Sequence, residues 1–426
     1  MAAITPFIIC LNWYAYEMEG VFLDSFHYKK LILSGFSLTH LDTFPMWGYG
    51  WVLLLTENKL ALLLLQSTLG LASLFYFINM IETYNYLSKR MITALKSVMI
   101  IALPWYSFHA LRWANSFAIS FFLLSFTTLV HAYNKDKIKL FIISGIFFGL
   151  TLNFRSDYYL MPLGFTFFIW LFKQNKKILI WLLTIYTLLL PWAFYTKKAT
   201  GHYLLTSTNA GHVCFIGFGN NPNNKWGIRE SDGDPLMHKI VDTHFGKKTT
   251  TLCYKSDKLL KQEFFKLVIQ DPFEYIKKCL WALKRYIFEG TYHGEFFEHP
   301  KNKKNLFIYQ DYKSFIHALF ITPLKTIKEN NNTTFFTLFM HLFSKIFGKL
   351  LVLISVLLLP FTFFYALRKQ DLFFILITSA LCYQSAINVL CYHMPGYTTN
   401  MLLFFLINIL YAAQLYLSSN PRNNFI

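Results

Sequence analysis

Charge is scarce in this chain. Asp, Glu, Lys and Arg make up 15% of its 426 residues, where soluble domains carry about 25%. The deficit falls on the acids, with 22 Asp and Glu against 40 Lys and Arg and a net charge of +18. Apolar residues reach 55% and come in long blocks, which excludes an ordinary water-soluble domain. Nucleotide-binding motifs are missing as well. There is no P-loop, no dinucleotide-binding glycine fingerprint and no Ser nucleophile elbow, and GFGNNP has too few correctly spaced glycines to replace them. Nucleotide-driven chemistry is thereby excluded, and any donor substrate is expected through the membrane. Cysteine is sparse too. Cys10, Cys279, Cys382 and Cys391 lie in apolar settings that suit buried, inert thiols, leaving Cys214 and Cys253 as the pair placed to form a disulfide. His202, His212, His238, His244, His293 and His299 form no HxxxH-like pair, so no metal motif is marked.

What is present is a series of apolar windows of membrane-spanning length. They fall near 3–16, 58–80, 91–108, 113–133, 138–154, 158–173, 177–195, 345–367, 371–391 and 398–418, about ten in all. The first window lacks a basic flank and an Ala-x-Ala-like cleavage site, and reads as a retained span rather than a signal peptide. The chain is therefore expected to be an all-α polytopic membrane protein with three parts. These are a transmembrane block over 1–195 with a first external loop at 17–50, a mixed hydrophilic insert over 196–332, and a second transmembrane block over 333–426. Lys89-Arg90, Lys135 to Lys139, Lys173 to Lys177, Arg368-Lys369 and Arg422 share one side, which the positive-inside rule makes cytoplasmic. The insert, the first loop, 104–112, 155–157 and 392–397 then share the extracytoplasmic side. Scattered basic residues with no base-reading motif argue against nucleic acid and for anionic lipid or phosphate head groups.

The run Ile178 to Phe194 ends at Pro191-Trp192 in a Gly/Asn-rich polar segment, whose turns expose backbone at the membrane boundary. Further on, Asp257 to Phe288 reads as a long amphipathic helix with a kink at Asp271-Pro272. Residues 22–36 of the first loop suit an interfacial helix.

Four residues stand out chemically. Asp24 follows the first span; a carboxylate among aromatic neighbours there can act as a general base, although helix capping is the commoner role for such an Asp. Arg155, in NFRSDYYLMP, suits a phosphate, with pairing to Asp157 or snorkelling as the structural alternative. Arg112, with His109, adds positive charge on the same side, where Trp105, Tyr106 and Trp113 suit interfacial anchoring. His393 opens the last span and can bind a phosphate or shuttle a proton, or simply sit at the interface.

Four segments together resemble a known family. They are DSFHYKKLILSG followed by FPMWGYGWVLL, then GLTLNFRSDYYLMPL, PWAFYTKKATGHYLLTSTNAGHVCFIGFGNNPNNKWG, and QEFFKLVIQDPFEYIKKCLWALKRYIF. In order and spacing they are similar to the integral-membrane glycosyltransferases of the GT-C fold. The resembling group is the bacterial one similar to dolichyl-phosphate-mannose protein mannosyltransferases and lipid A aminoarabinose transferases. The resemblance implies a sugar donor on polyprenyl phosphate and a lipid, glycan or protein acceptor at the external face of the plasma or inner membrane. Asp24 would be the base, and Arg155, Arg112 and His393 would hold the lipid phosphate. Tyr28, Lys29, Asn209, Asn220 and Asn221 would line the groove. No cofactor is required by it, and a divalent metal is compatible with it. The chain departs from the family pattern at Ser25, Asn115 and Tyr392-His393, where charged groups are usual. Two other readings therefore stand beside it: a lipid-linked glycan transporter or flippase, and an inactive binding or assembly subunit.

Overall fold

The computed structural model describes residues 46–55, 59–100, 102, 105–106, 109, 114–247, 249–289, 335–393 and 398–419. Among them the secondary structure is helical throughout, with no strand. The helices are α1 Gly48–Leu55, α2 Lys59–Thr83, α3 Lys89–Ile100, α4 Ala114–Lys135, α5 Ile138–Phe154, α6 Met161–Lys173, α7 Ile178–Thr187 and α8 Leu190–Thr200. The insert contributes α9 Ala210–Ile216, α10 Pro235–Phe245, α11 Tyr254–Gln270 and α12 Pro272–Glu289. The chain then returns through α13 Phe335–Lys369, α14 Leu372–Leu390 and α15 Leu402–Ser419.

Six segments are long and apolar enough to cross a bilayer: Leu64–Thr83, Ala114–Lys135, Ile178–Thr200, Ile346–Lys369, Leu372–Leu390 and Leu402–Ser419. The protein is a multi-pass membrane protein. The other windows fare differently for a geometric reason, because a helix rises 1.5 Å per residue and the hydrocarbon core is about 30 Å thick. With 17 and 13 residues, α5 and α6 are shorter than that thickness, and the window 91–108 is only partly covered by the described residues. The window 3–16 and the interfacial helix at 22–36 lie outside the described residues. The insert, expected to be mixed, is helical where it is described.

Small residues let the first block close up. Ser125 on α4 and Ser144 on α5 exchange hydrogen bonds with each other's backbone carbonyls, and Trp181 Nε1 donates to Ser144 Oγ at 2.8 Å. On the next turns Gly145 lies under Thr184 and Trp181, and Gly149 under Leu188. Spacing of small residues at i and i+4 is how helices approach closely in lipid, where dispersion packing and interhelical hydrogen bonds drive association. Aromatic rings fill the centre: Phe404 on α15 meets Phe77, Phe122 and Phe126 at centroid distances of 5.9, 5.4 and 5.0 Å. Asn408 ties α15 to α13 by donating to Ser355 and accepting from Thr362 at 2.6 Å.

The two ends of the bundle differ. At one, Lys177 bonds Asp136 at 2.5 Å, Asn175 donates to the same carboxylate, and the Ser88 N–H donates to Gln414. These contacts join the turns after α4 and α6, and tie the turn after α2 to the last helix. At the other end, α8 runs on to Thr200, past the handover expected at Pro191-Trp192. Trp192 is buried against Trp47 and Tyr195, and the helix stops at Gly201, whose φ of +79° gives the left-handed cap.

The insert has its own small core around Phe215, Phe218, Met237, Leu260 and Phe264. The kink expected at Asp271-Pro272 is a full break between α11 and α12, because Asp271 caps α12 by accepting from the Glu274 N–H at 2.9 Å and Pro272 opens the new helix. The apolar stripe expected along this pair divides between two faces. Phe264 and Tyr286 are buried, while Phe265, Ile269, Phe273, Ile276 and Leu280 are exposed.

Candidate functional site

At the end opposite the basic turns lies a cavity of about 340 Å³. Its walls come from three separated stretches: Phe154 to Leu160 after α5, Thr206 to Cys214 at the entry of the insert, and Tyr383 to Tyr392 at the end of α14. Arg155 and Asn209 are both on the wall.

Local structure fixes each of them. The Arg155 N–H caps α5 by donating to Thr151 O at 2.8 Å, and the next residues turn through a short 3-10 segment, Ser156–Tyr158. Tyr383 Oη donates to Asp157 O at 2.8 Å and accepts from the Leu160 N–H, so α14 clamps this turn. Across the cavity, Ser156 and Ser207 hydroxyls bond at 2.7 Å, and Ser207 donates on to Asn209 Oδ1 at 2.8 Å. These bonds stitch the α5–α6 turn to the insert.

Arg155 does pair with Asp157, Nε to Oδ1 at 3.0 Å, with side chains 16% and 14% exposed. The second carboxylate oxygen of Asp157, Oδ2, is buried with no hydrogen-bond partner among the described residues. A buried carboxylate oxygen left without a donor is costly. Asn115, one of the departures from the family pattern, opens α4 fully buried, and both its side-chain polar atoms lack partners among the described residues.

The other predicted residues fall elsewhere. His393, Asn220 and Asn221 are buried and do not line the cavity. The His393 N–H donates to Asn220 Oδ1 at 3.2 Å, its ring Nδ1 bonds Asn388 Oδ1 at 3.2 Å, and the ring stands edge-on to Tyr286. Asn221 donates to Glu274 at 3.2 Å, and Asn224 donates to two backbone carbonyls of the same loop. The GFGNNPNN run thus works as a hydrogen-bonded clasp, which places Asn220 and Asn221 in packing rather than on a groove. His109 adds no positive charge, because burial holds its imidazole down to about 3, and Nδ1 bonds Ser116 Oγ at 2.9 Å. Asp24, Tyr28, Lys29 and Arg112 lie outside the described residues.

Sequence reading missed two features. Lys278 is fully buried, and its Nζ donates to the carbonyls of Val389, Leu390 and Cys391 at 2.9, 2.8 and 2.7 Å. A cation there satisfies the last carbonyls of α14 and opposes the negative end of its dipole. Burial lowers the Lys278 pKa. Helical spacing from Tyr275 through Lys278 to Ala282 and Tyr286 was the available signal, since it puts the lysine on the packed face.

The second is the cysteine arrangement. Cys214 does not pair with Cys253. The Cys253 thiol lies against Ser256 Oγ at 3.3 Å at the start of α11, whereas Cys214 lines the cavity together with Cys391. Among the described residues no three His, Cys, Asp or Glu side chains converge as a metal set.

Comparison of the chain with protein-family models, curated proteins and solved structures finds no match.

Proposed function

We propose that this protein is a GT-C-like glycosyltransferase that moves a sugar from a polyprenyl-phosphate donor to a hydroxyl of a lipid, glycan or protein acceptor on the extracytoplasmic face. The observation that carries this reading is the meeting of Arg155 and Asn209 on one cavity. They lie in two of the segments that resemble the family, far apart in sequence, and the cavity sits at the bundle end opposite the basic turns.

In this reading Asp24 takes the acceptor's hydroxyl proton, the acceptor oxygen bonds the anomeric carbon, and the sugar–phosphate bond breaks with its electron pair leaving on polyprenyl phosphate. Arg155 stabilises the charge that develops on that phosphate, where a fixed cation in a water-poor site is most effective. Asp157 holds the guanidinium in place through Nε.

A transporter would require charged groups buried within its spans. Among the described residues of the six spans no Asp, Glu, Lys or Arg is buried, which disfavours it. Two observations favour an inactive binding subunit: Arg155 is already paired with Asp157, and burial lowers the His109 pKa.

Binding of a polyprenyl-phosphate sugar to the purified full chain in nanodiscs tests the proposal. Arg155→Ala is expected to weaken binding at least tenfold, about 1.4 kcal/mol. An unchanged affinity removes Arg155 from the site.

A further inference from the structure

The two cysteines in the cavity wall come from distant parts of the chain. Cys214 belongs to α9 of the insert, and Cys391 is the residue at which α14 ends. Both are free and partly exposed, and both line the same cavity. Their meeting is built into the backbone. Gly217, one residue past α9, packs so closely on the Cys391 carbonyl that a Cβ there would overlap the oxygen. Lys278 grips that same carbonyl at 2.7 Å.

We propose that Cys391 and Cys214 form a thiol–disulfide exchange site on the cavity wall, with Cys391 attacking an organic disulfide and Cys214 resolving the mixed disulfide. The thiolate of Cys391 bonds one sulfur of the disulfide RS–SR and expels RS⁻. Cys214 then attacks the Cys391 sulfur, forms the Cys214–Cys391 bond and expels the second RS⁻. The two expelled thiolates take up the two cysteine protons, so two protein thiols are oxidised while one organic disulfide is reduced to two RSH.

The roles follow from the surroundings. The neighbouring Cys214 thiol, together with the Lys278 ammonium held 2.7 Å from the Cys391 carbonyl, lowers the pKa of the Cys391 thiol against the opposing effect of burial. The Cys391 thiol and burial push Cys214 up. The thiolate is the attacking species, so Cys391 leads and Cys214 follows. Cys279, whose thiol burial pushes up, and the Tyr275 phenol are the other titratable groups facing the pair from α12. Once formed, the bond ties the insert to the end of α14 beside Arg155 and fixes the width of the cavity.

Oxidised glutathione is the probe, applied to the purified full chain in detergent and read by peptide mapping under non-reducing conditions. The wild type is expected to yield the Cys214–Cys391 cross-link without a lasting glutathione adduct. Cys214→Ser is expected to trap glutathione on Cys391, and Cys391→Ser to label Cys214 at least tenfold more slowly. Thermal midpoints equal to the wild type's show that both variants fold, and the wild-type map stands without them. A bond from Cys214 to Cys253 or from Cys391 to Cys279 overturns the proposal. So does wild-type protein in which both cavity thiols stay reduced after exposure to oxidised glutathione.

Discussion

Lys278 shows how one residue couples two regions of the chain. Its ammonium replaces water for three carbonyls at the end of α14, and Tyr275 donates to one of them, Leu390 O, at 3.0 Å. Lys278→Met strands those acceptors in a buried place, and a loss of about 3 kcal/mol is expected. Thermal unfolding in detergent checks it, and a midpoint equal to the wild type's would show that the carbonyls find water. Arg155 invites a subtler test. Arg155→Lys keeps the charge and loses the planar fork, so affinity for polyprenyl phosphate should fall between those of wild type and Arg155→Ala. The pairing of Arg155 with Asp157, two residues on, was legible in the sequence, whereas the burial of Lys278 was not. Lys277-Lys278 reads as a solvated pair until the helix phase is set by contacts more than a hundred residues away.

Among the elements, the break between α11 and α12 was the most legible, since Asp-Pro is both a cap and a stop. Asp271 also bonds Lys225 at 2.5 Å, and that bond, ahead of the Glu274 N–H, lowers the Asp271 pKa. A carboxylate depressed in the folded state adds stability above its unfolded value of about 4, and the gain is lost as pH falls through the folded value. Asp271→Asn should therefore flatten the acid side of the thermal-midpoint profile below about pH 4. A profile parallel to the wild type's would show that the pair does not form. Gly217→Ala, which drives a Cβ into the Cys391 carbonyl, should cost about 2 kcal/mol by overpacking, read by the same melt. The docking of the GFGNN turn on α14 was invisible in the sequence, because a Gly/Asn run specifies turns without naming what they rest on. The same holds for Cys214, whose partner is set by that docking rather than by proximity along the chain.

At the scale of the whole molecule, some of the turns sorted by charge can be followed among the described residues. Lys177 meets Asp136 and Ser88 meets Gln414, and the stretches 155–157, 206–214 and 391–392 gather around the cavity. Long apolar runs mark membrane passage but not how many helices complete one: α5 fills its window of 17 residues and is still short for the bilayer, and α6 is shorter than its window. Single cysteines introduced at Asn175 and Asn223 should react with a membrane-impermeant maleimide on opposite sides, Asn223 on the outside. The central claim is sugar transfer from a polyprenyl-phosphate donor, and it is tested most directly in proteoliposomes by following radiolabelled sugar from the donor into an acceptor. Transfer by the wild type and its loss in Asp24→Asn with donor binding retained is the predicted result. Transfer undiminished in Asp24→Asn, or no transfer by wild-type protein that binds both donor and acceptor, would contradict the account.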